Sequence, residues 1–390
     1  MYSRSFCLRL YKQDKSGELT IIWYKKLEIN LENIKKNLRA IKNFLPANTQ
    51  ILPVIKNDAY GHGLLKVARV LSEEKVFGFG LSEPEEALVL RKEGFSQPIL
   101  LLSGFEKDWL SEMYNLKITP VVTSLNTFEW LRNFVKNRNV KWKIHLKVDT
   151  GMHRFGIDLE ELDTLIEKIK NSSYLFLEGV MTHLSCAEKP EHELTQLQLE
   201  NLKKVLERLK INGINPKYVH FANSGGIIFL TEKGNLVRPG ISIYGSYPSF
   251  KARELVKLYP VMSLKSRIVE IKKIKRGEYA GYGPNFRAQR DTILGLVPVG
   301  YGDGYPRILS NRGFAYYKGK KVRVVGNVSM KALYLDITEG ENPQIGDEVI
   351  LLGGDNEEVP VDKLAELAET ISYELFCSLG KSIPREYKYA

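Results

Sequence analysis

Cysteine is scarce. Cys7, Cys186 and Cys377 are the only three in 390 residues, far apart and without a C-x-x-C pair. That excludes a disulfide framework and a structural zinc site of ordinary spacing, and it fits a reducing compartment. Long apolar runs are missing as well: no segment approaches the ~18 uninterrupted apolar residues of a membrane span. The opening stretch MYSRSFCLRLYKQDKSG has neither the apolar core nor the small-residue cleavage site of a secretory signal. A cytoplasmic protein without a membrane partner is the expectation. Blocks of one charge are also lacking. The formal charge is +11, yet Lys and Glu interleave in LSEEK, EELDTLIEKIKN and DKLAELAET. The densest basic run, RIVEIKKIKRGE, alternates with Ile and Val like the solvent face of a strand. This patterning argues against a nucleic-acid partner and for a solvated basic surface that favours small anions. No G-x-G-x-x-G follows an early strand, and GYGDGY at 300–305 has the wrong spacing for a dinucleotide site.

What is present is alternation. With 43% hydrophobic and 26% charged residues, the chain has the make-up of a globular enzyme with a large core. Between residues 51 and about 245, eight short apolar runs (51–55, 76–81, 98–103, 118–123, 143–149, 179–185, 218–223 and 236–240) alternate with amphipathic stretches of helical period. EHELTQLQLENLKKVLERLK, for example, keeps leucines three and four apart. Eight β-α alternations predict an α/β fold with an N-terminal (β/α)8 TIM-type barrel. Beyond residue 257 the pattern turns to alternating runs separated by Gly-rich turns, with one good helix, VDKLAELAETIS. That predicts a mostly β C-terminal domain. The expected organisation is an extension over 1–22, the barrel over 23–257 and the β domain over 258–390. WYKKLEINL, ahead of the eight runs, is a candidate to pair with the β domain.

Chemistry in a barrel gathers where strands end at the C-terminal face. Those positions carry Lys56, Lys147 with Asp149, His183, His220 with Asn223 and Ser224, and Arg238, with Arg154 just beyond in TGMHRFG. Singly, each has an ordinary role as a carbonyl cap or a core hydrogen-bond partner. Together they describe a site rich in cations and poor in carboxylates, suited to an anionic ligand. A metal site is the competitor, but it wants His-x-His or several carboxylates; His183 precedes Leu-Ser, His220 precedes Phe-Ala, and strand alternation is expected to turn His145 away from Lys147. No metal is expected. A desolvated strand-end lysine near other cations has a lowered pKa and can act as a base or nucleophile. Pyridoxal 5′-phosphate is held as a Schiff base on this residue type, and its phosphate needs hydroxyls and backbone N–H groups in glycine-containing turns. ANSGG (222–226) and RPGISIYG (238–245) supply such turns on the last two strands.

Nine ordered motifs, VIKNDAYGHG, LKVDTGMHRFG, THLSCAE, HFANSGG, RPGISIYG, YAGYGPNF, VGYGDGYPR, VGNVSM and ISYELFC, closely resemble the alanine racemase family, two-domain pyridoxal-phosphate enzymes. The resemblance runs from about residue 23 to 388. It implies Lys56 as the lysine that carries the cofactor. Tyr60, Ser224, the backbone of Gly240 and Ile241, and Tyr373 are implied around the phosphate, with Arg238 at the pyridine nitrogen and His183 and Asn223 also among the cofactor-binding residues. It further implies two bases on opposite faces of the substrate, Lys56 and Tyr282. Arg154 would bind the substrate carboxylate, and His183 and Arg238 would be hydrogen-bonded toward Tyr282. Tyr282, Tyr301 and Met330 would reach the barrel mouth of a partner subunit in a homodimer with shared sites. Lys147 matches a lysine often carbamylated in the family; an unmodified Lys147 paired with Asp149 is the alternative.

The family usually reads Gly-Arg-Val-x-Met-Asp where this chain has GNVSMK, so Asn327 and Lys331 replace an arginine and an aspartate. Glu188 and Arg307 keep the expected charge types, and Phe286 stands where tyrosine is common. These departures leave room for a racemase acting on serine or basic amino acids. Two other classes compete: a decarboxylase of the same fold, which places an acid at the ring nitrogen, and a non-catalytic pyridoxal-phosphate carrier, which is typically a barrel alone.

Overall fold

The computed structural model of the chain describes residues 10–13, 19–22 and 24–389. Within the 1–22 extension, Leu10–Gln13 and Leu19–Ile22 pair as an antiparallel hairpin, and the rest of that segment lies outside the described residues.

Six parallel strands pair in chain order: Phe79–Leu81, Ile99–Leu101, Ile118–Val122, Trp142–Lys147, Leu175–Met181 and Tyr218–His220. Gln50–Ile51 and Leu236–Val237 form a second parallel pair. Backbone hydrogen bonds tie this pair to both edges of the six. Gly80 N–H donates to Pro53 O at 2.9 Å on one side, and Arg238 N–H donates to Ala222 O at 2.9 Å on the other. The eight expected runs therefore close into a barrel. The sixth strand begins earlier than expected, at Leu175 rather than 179, because YLFLE carries the extended pattern upstream of Gly179.

The helices bury one face against this ring. Glu193–Ile211 buries Thr195, Gln198, Leu202, Val205 and Leu209, spaced three and four apart. Its two buried polar residues face the loop after the sixth strand. Gln198 Nε2 donates to His183 O at 3.0 Å, Ser185 N–H donates to Gln198 Oε1 at 2.9 Å, and Thr195 Oγ1 donates to Cys186 O at 3.0 Å. A helix that reads as an ordinary amphipath thus fixes the loop that carries His183.

The C-terminal part is a nine-stranded sheet. Lys25–Asn30 lies inside it, antiparallel to Met262–Arg267 and parallel to Arg385–Lys388. This strand falls within 23–257 yet pairs with the later sheet, and the chain enters the barrel through the helix Leu31–Lys42. Two helices, not one, accompany the sheet: Val361–Leu367 and Ser372–Ser382. The second was hidden by its opening Ser-Tyr. It lies against the turn behind Lys56 at a glycine–glycine contact. A Cβ on Gly380 would come within 2.4 Å of Gly61 Cα, and one on Gly61 within 2.3 Å of Phe376 O. Gly61 also has φ +79, a left-handed conformation that a side chain disfavours. Both domains therefore build the site together.

Candidate active site

The sequence between Lys56 and the glycines folds in an uncommon way. Asn57, Asp58, Ala59 and Tyr60 all have φ of 53° or 54°, one left-handed turn made without glycine. Such a turn costs roughly 1–2 kcal/mol per residue for L-amino acids, so the surroundings must hold it. Asp58 N–H donates to Glu86 Oε1 at 2.8 Å, and Leu64 N–H donates to Asp58 Oδ1 at 2.7 Å. Arg385, on the last strand, forms an ion pair with Asp58 and donates to Gly380 O at 2.7 Å. Burial pushes the Glu86 carboxyl up to about 7. The turn brings Tyr60 back to the cavity that Lys56 faces. Its hydroxyl lies so close to Gly240 that a Cβ there would approach to 2.8 Å.

Lys56, Tyr60, Lys147, Arg154, His183, Asn223, Ser224, Arg238, Gly240, Ile241 and Tyr373 line one cavity of roughly 370 Å³ at the barrel mouth. Four of these side chains are basic, and no Asp or Glu is among the lining residues. Burial, with Arg154 next in weight, holds the Lys56 amine below the usual lysine range. Burial followed by Arg238, Arg154 and Lys56 pushes Lys147 down to about 7. His183 is held well below its ordinary value by burial and the same cations, which keeps it neutral. Burial moves the phenols the other way: Tyr373 is pushed up to about 12 and Tyr60 is raised further. Both hydroxyls stay protonated and available as donors.

One part of the cavity lining is organised by Ser224, whose Oγ accepts from Gly240 N–H at 3.0 Å and Ser242 N–H at 3.3 Å. Asn223 caps the following helix through Gly226 N–H at 3.0 Å and donates to Leu184 O at 3.3 Å. Three hydroxyls, a glycine turn without a Cβ and surrounding basic groups fit pyridoxal phosphate, with the Lys56 amine in the same cavity.

Two expectations need correction. Lys147 does not pair with Asp149: its Nζ donates to Leu102 O at 3.2 Å, and Asp149 Oδ1 accepts the backbone N–H groups of Gly151, Met152 and His153. Arg238 is held inside the barrel by three hydrogen bonds. It donates to His220 Nδ1 at 3.1 Å, His220 O at 2.6 Å and Thr182 O at 2.7 Å. His145 does not turn away from Lys147, since residues two apart on a strand share a face, and both are buried in the barrel interior. His145 and His220 were the residues left without a role. Their spacing to Lys147 and to the strand end was the available signal.

Tyr282, Tyr301 and Met330 do not line the cavity. They lie on the C-terminal domain and are 76, 44 and 58% exposed. Nor is Lys331 a bare reversal of charge. Its Nζ contacts Asp303 Oδ1 at 2.6 Å, and Lys25 Nζ meets the other oxygen of that buried carboxylate at 2.8 Å. Asn327 Nδ2 donates to Tyr282 O at 2.7 Å, and Asn285 donates to Asn327 Oδ1 at 3.0 Å, so Asn327 braces the loop bearing Tyr282. Among the described residues no helix is long and apolar enough to cross a membrane.

Comparison with known proteins bears on the whole chain. Residues 29–248 match the family "Alanine racemase, N-terminal domain", and residues 261–387 match "Alanine racemase, C-terminal domain". An alanine racemase of Halothermothrix orenii is 36% identical over 363 residues, 93% of this chain and 96% of that protein. The structure of alanine racemase from Clostridium difficile 630 superposes with a TM-score of 0.86 at 34% identity, covering 95% of this chain and 97% of that one. The alanine racemase of Bartonella henselae, solved with covalently bound pyridoxal phosphate, gives a TM-score of 0.86 at 32% identity, covering 94% of this chain and 100% of that one. With both domains matched in order and about a third of the residues shared, the chain belongs to the alanine racemase family.

Proposed function

We propose that the chain interconverts L-alanine and D-alanine with pyridoxal 5′-phosphate, as a homodimer whose two sites each draw on both subunits. When bound, the cofactor supplies the electron sink that lets an amino acid lose its Cα proton. Lys56 holds it at the barrel mouth. Tyr60, Tyr373, Ser224 and the Gly240–Ile241 backbone, steadied by Asn223, receive the phosphate. Arg238, which lines the same cavity, would stand at the ring nitrogen. A guanidinium only donates, and with its pKa lowered by burial to about 9 it stays charged at neutral pH. A donor-only group there would disfavour a proton on that nitrogen, which would favour racemisation over side reactions.

Arg154 binds the substrate carboxylate, and the Lys56 amine, its pKa lowered, exchanges the proton on one face of Cα. The second base in this reading is Tyr282 of the partner subunit, brought to the opposite face beside Tyr301 and Met330 of the same subunit. Their exposure on one chain and their absence from its cavity support that arrangement. A cytoplasmic enzyme supplying D-alanine for peptidoglycan is consistent with this reading. The observation that carries it is the convergence of Lys56, Arg154 and Arg238 on a cavity without a carboxylate lining. A decarboxylase would place an acid where Arg238 stands.

Purified protein with L-alanine in deuterated water should yield D-alanine and deuterium at Cα. Release of an amine would indicate decarboxylation, and an unchanged amino acid would indicate a carrier. Lys147 has a second chemistry. A neutral amine adds CO2 to give a carbamate and a proton, and an amine with a pKa of about 7 is neutral in a substantial fraction of molecules near neutral pH. The new carboxylate would pair with Arg154. Protein equilibrated with 13C-bicarbonate should show one carbamate carbonyl resonance that disappears in Lys147→Ala; its absence from the parent protein would leave Lys147 unmodified.

A further inference from the structure

Arg238 is a buried guanidinium whose hydrogen bonds all go to neutral acceptors, with no carboxylate against it. The nearest acid in its network lies two imidazoles away. His220 Nε2 is hydrogen-bonded to His145 Nδ1 at 2.8 Å; His145 Nε2 is buried without a hydrogen-bond partner among the described residues and faces Glu178 Oε2 at 3.7 Å, a charge–dipole contact longer than a hydrogen bond. Glu178 is also bound by Lys143 at 2.7 Å. It borders a separate opening lined by Pro98, Lys143 and Lys217, at the strand starts opposite the mouth.

Donor counting fixes every proton in this row. Arginine has donors only, so the His220 Nδ1 facing it must be an acceptor. Neutral His220 then carries its proton on Nε2 and donates to His145 Nδ1. His145 in turn carries its proton on Nε2, aimed at Glu178. Protonating either ring on its other nitrogen would set two donors face to face. Burial lowers the pKa of both histidines, which keeps them neutral. The charged or polar groups facing this pair are Arg238, Lys147, Lys143 and Glu178, with the Tyr218 ring stacked on His145 at 6.1 Å.

The backbone is shaped around the row. A Cβ on Gly179 would lie 2.4 Å from His145 Nδ1 and Cε1, and the register between the fourth and fifth strands of the six shifts at Ile144/His145. A glycine and a bulge at the same point make the space that the second imidazole fills.

We propose that His145 and Glu178 are positioning residues that, through His220, hold Arg238 charged and aimed at the ring nitrogen. The two imidazole dipoles align head to tail, with their N–H ends toward the carboxylate and their lone-pair ends toward the guanidinium. Hydrogen-bond chains of this kind polarise one another by about 10–30% per bond. The relay therefore carries the influence of a carboxylate to Arg238 without placing an acid beside the cofactor, where it would encourage protonation of the ring. This inference rests on the cofactor placement proposed above for Arg238.

The test uses the pyridoxal-phosphate-loaded enzyme labelled with 15N-histidine; the chain has six histidines. Long-range 1H–15N spectra should show His145 and His220 as neutral Nε2–H tautomers across the neutral pH range. In Glu178→Gln, whose side-chain amide can either donate or accept, His145 should populate both tautomers. Turnover should fall about tenfold, the scale of a one-unit change in the pKa of a group on the relay, with KM for alanine unchanged. Loss of the bound cofactor to its amine form, followed by absorbance, should rise by a similar factor per turnover. Glu178→Asp, which keeps the charge, should restore most of each. Unshifted tautomers in Glu178→Gln would overturn the relay, and so would shifted tautomers with unaltered turnover and cofactor loss. The spectra need no substrate, so a failure to racemise alanine is read separately from a failure of the relay.

Discussion

Lys56→Ala is expected to lose racemisation by more than about 10⁴-fold, the upper range for removing a positioned base, and to lose the visible absorbance of the bound cofactor. Both losses follow from one atom. The amine is the covalent anchor and, in the proposed reaction, the proton carrier on one face. Burial and the adjacent Arg154 already hold it below the usual lysine range, so it is primed for that work in the free chain. The cradle of Tyr60, Ser224 and Gly240 remains in the variant, so pyridoxal phosphate should still bind, weakly and without the covalent spectrum. Added methylamine should restore a measurable part of the turnover. A variant that keeps colour and activity would show that Lys56 is not the anchor.

Tyr282→Phe should separate the two functions. Cofactor colour should persist, since Tyr282 is 76% exposed and lines no part of the cavity of its own chain, while racemisation should fall about 10²–10⁴-fold through loss of the second base. Mixing the two inactive variants tests the shared site directly. In a dimer whose sites combine Lys56 of one subunit with Tyr282 of the other, each hybrid has one doubly defective site and one intact site. Random exchange of equal amounts makes half the dimers hybrids, so about a quarter of native activity should return. Activity that stays absent after exchange, with hybrids verified by mass, would mean that both groups act from the same chain.

Much of the framework was legible from one dimension because its signals are local. Short apolar runs separated by amphipathic stretches gave the barrel, and a change to two-residue periodicity marked the β domain. The strand-end polar residues could be read as one site because a barrel sends all its strand ends to one mouth. What was not legible depended on distant partners. Glu178 and Lys143 look like an exposed pair in sequence, and nothing local says that one of them ends a row of buried imidazoles. Lys331 reads as a bare reversed charge until Asp303, 28 residues away in the chain, is seen to pair with it. The helix carrying Tyr373 was missed because its polar start masked the buried Leu375, Phe376 and Leu379 that follow.

By itself the sequence determined the residue types and their order: a lysine at a strand end, hydroxyls and glycines on the last strands, arginines in place of acids. These are inventory and periodicity, which the covalent chain carries whatever its folded form. Only the tertiary structure decided that four non-glycine residues turn left-handed to set Tyr60 beside Gly240, that Gly61 and Gly380 join the two domains, and which way each imidazole points. Those outcomes depend on groups far apart in the chain competing for the same space and the same hydrogen bonds. That competition is settled only when the chain is closed upon itself.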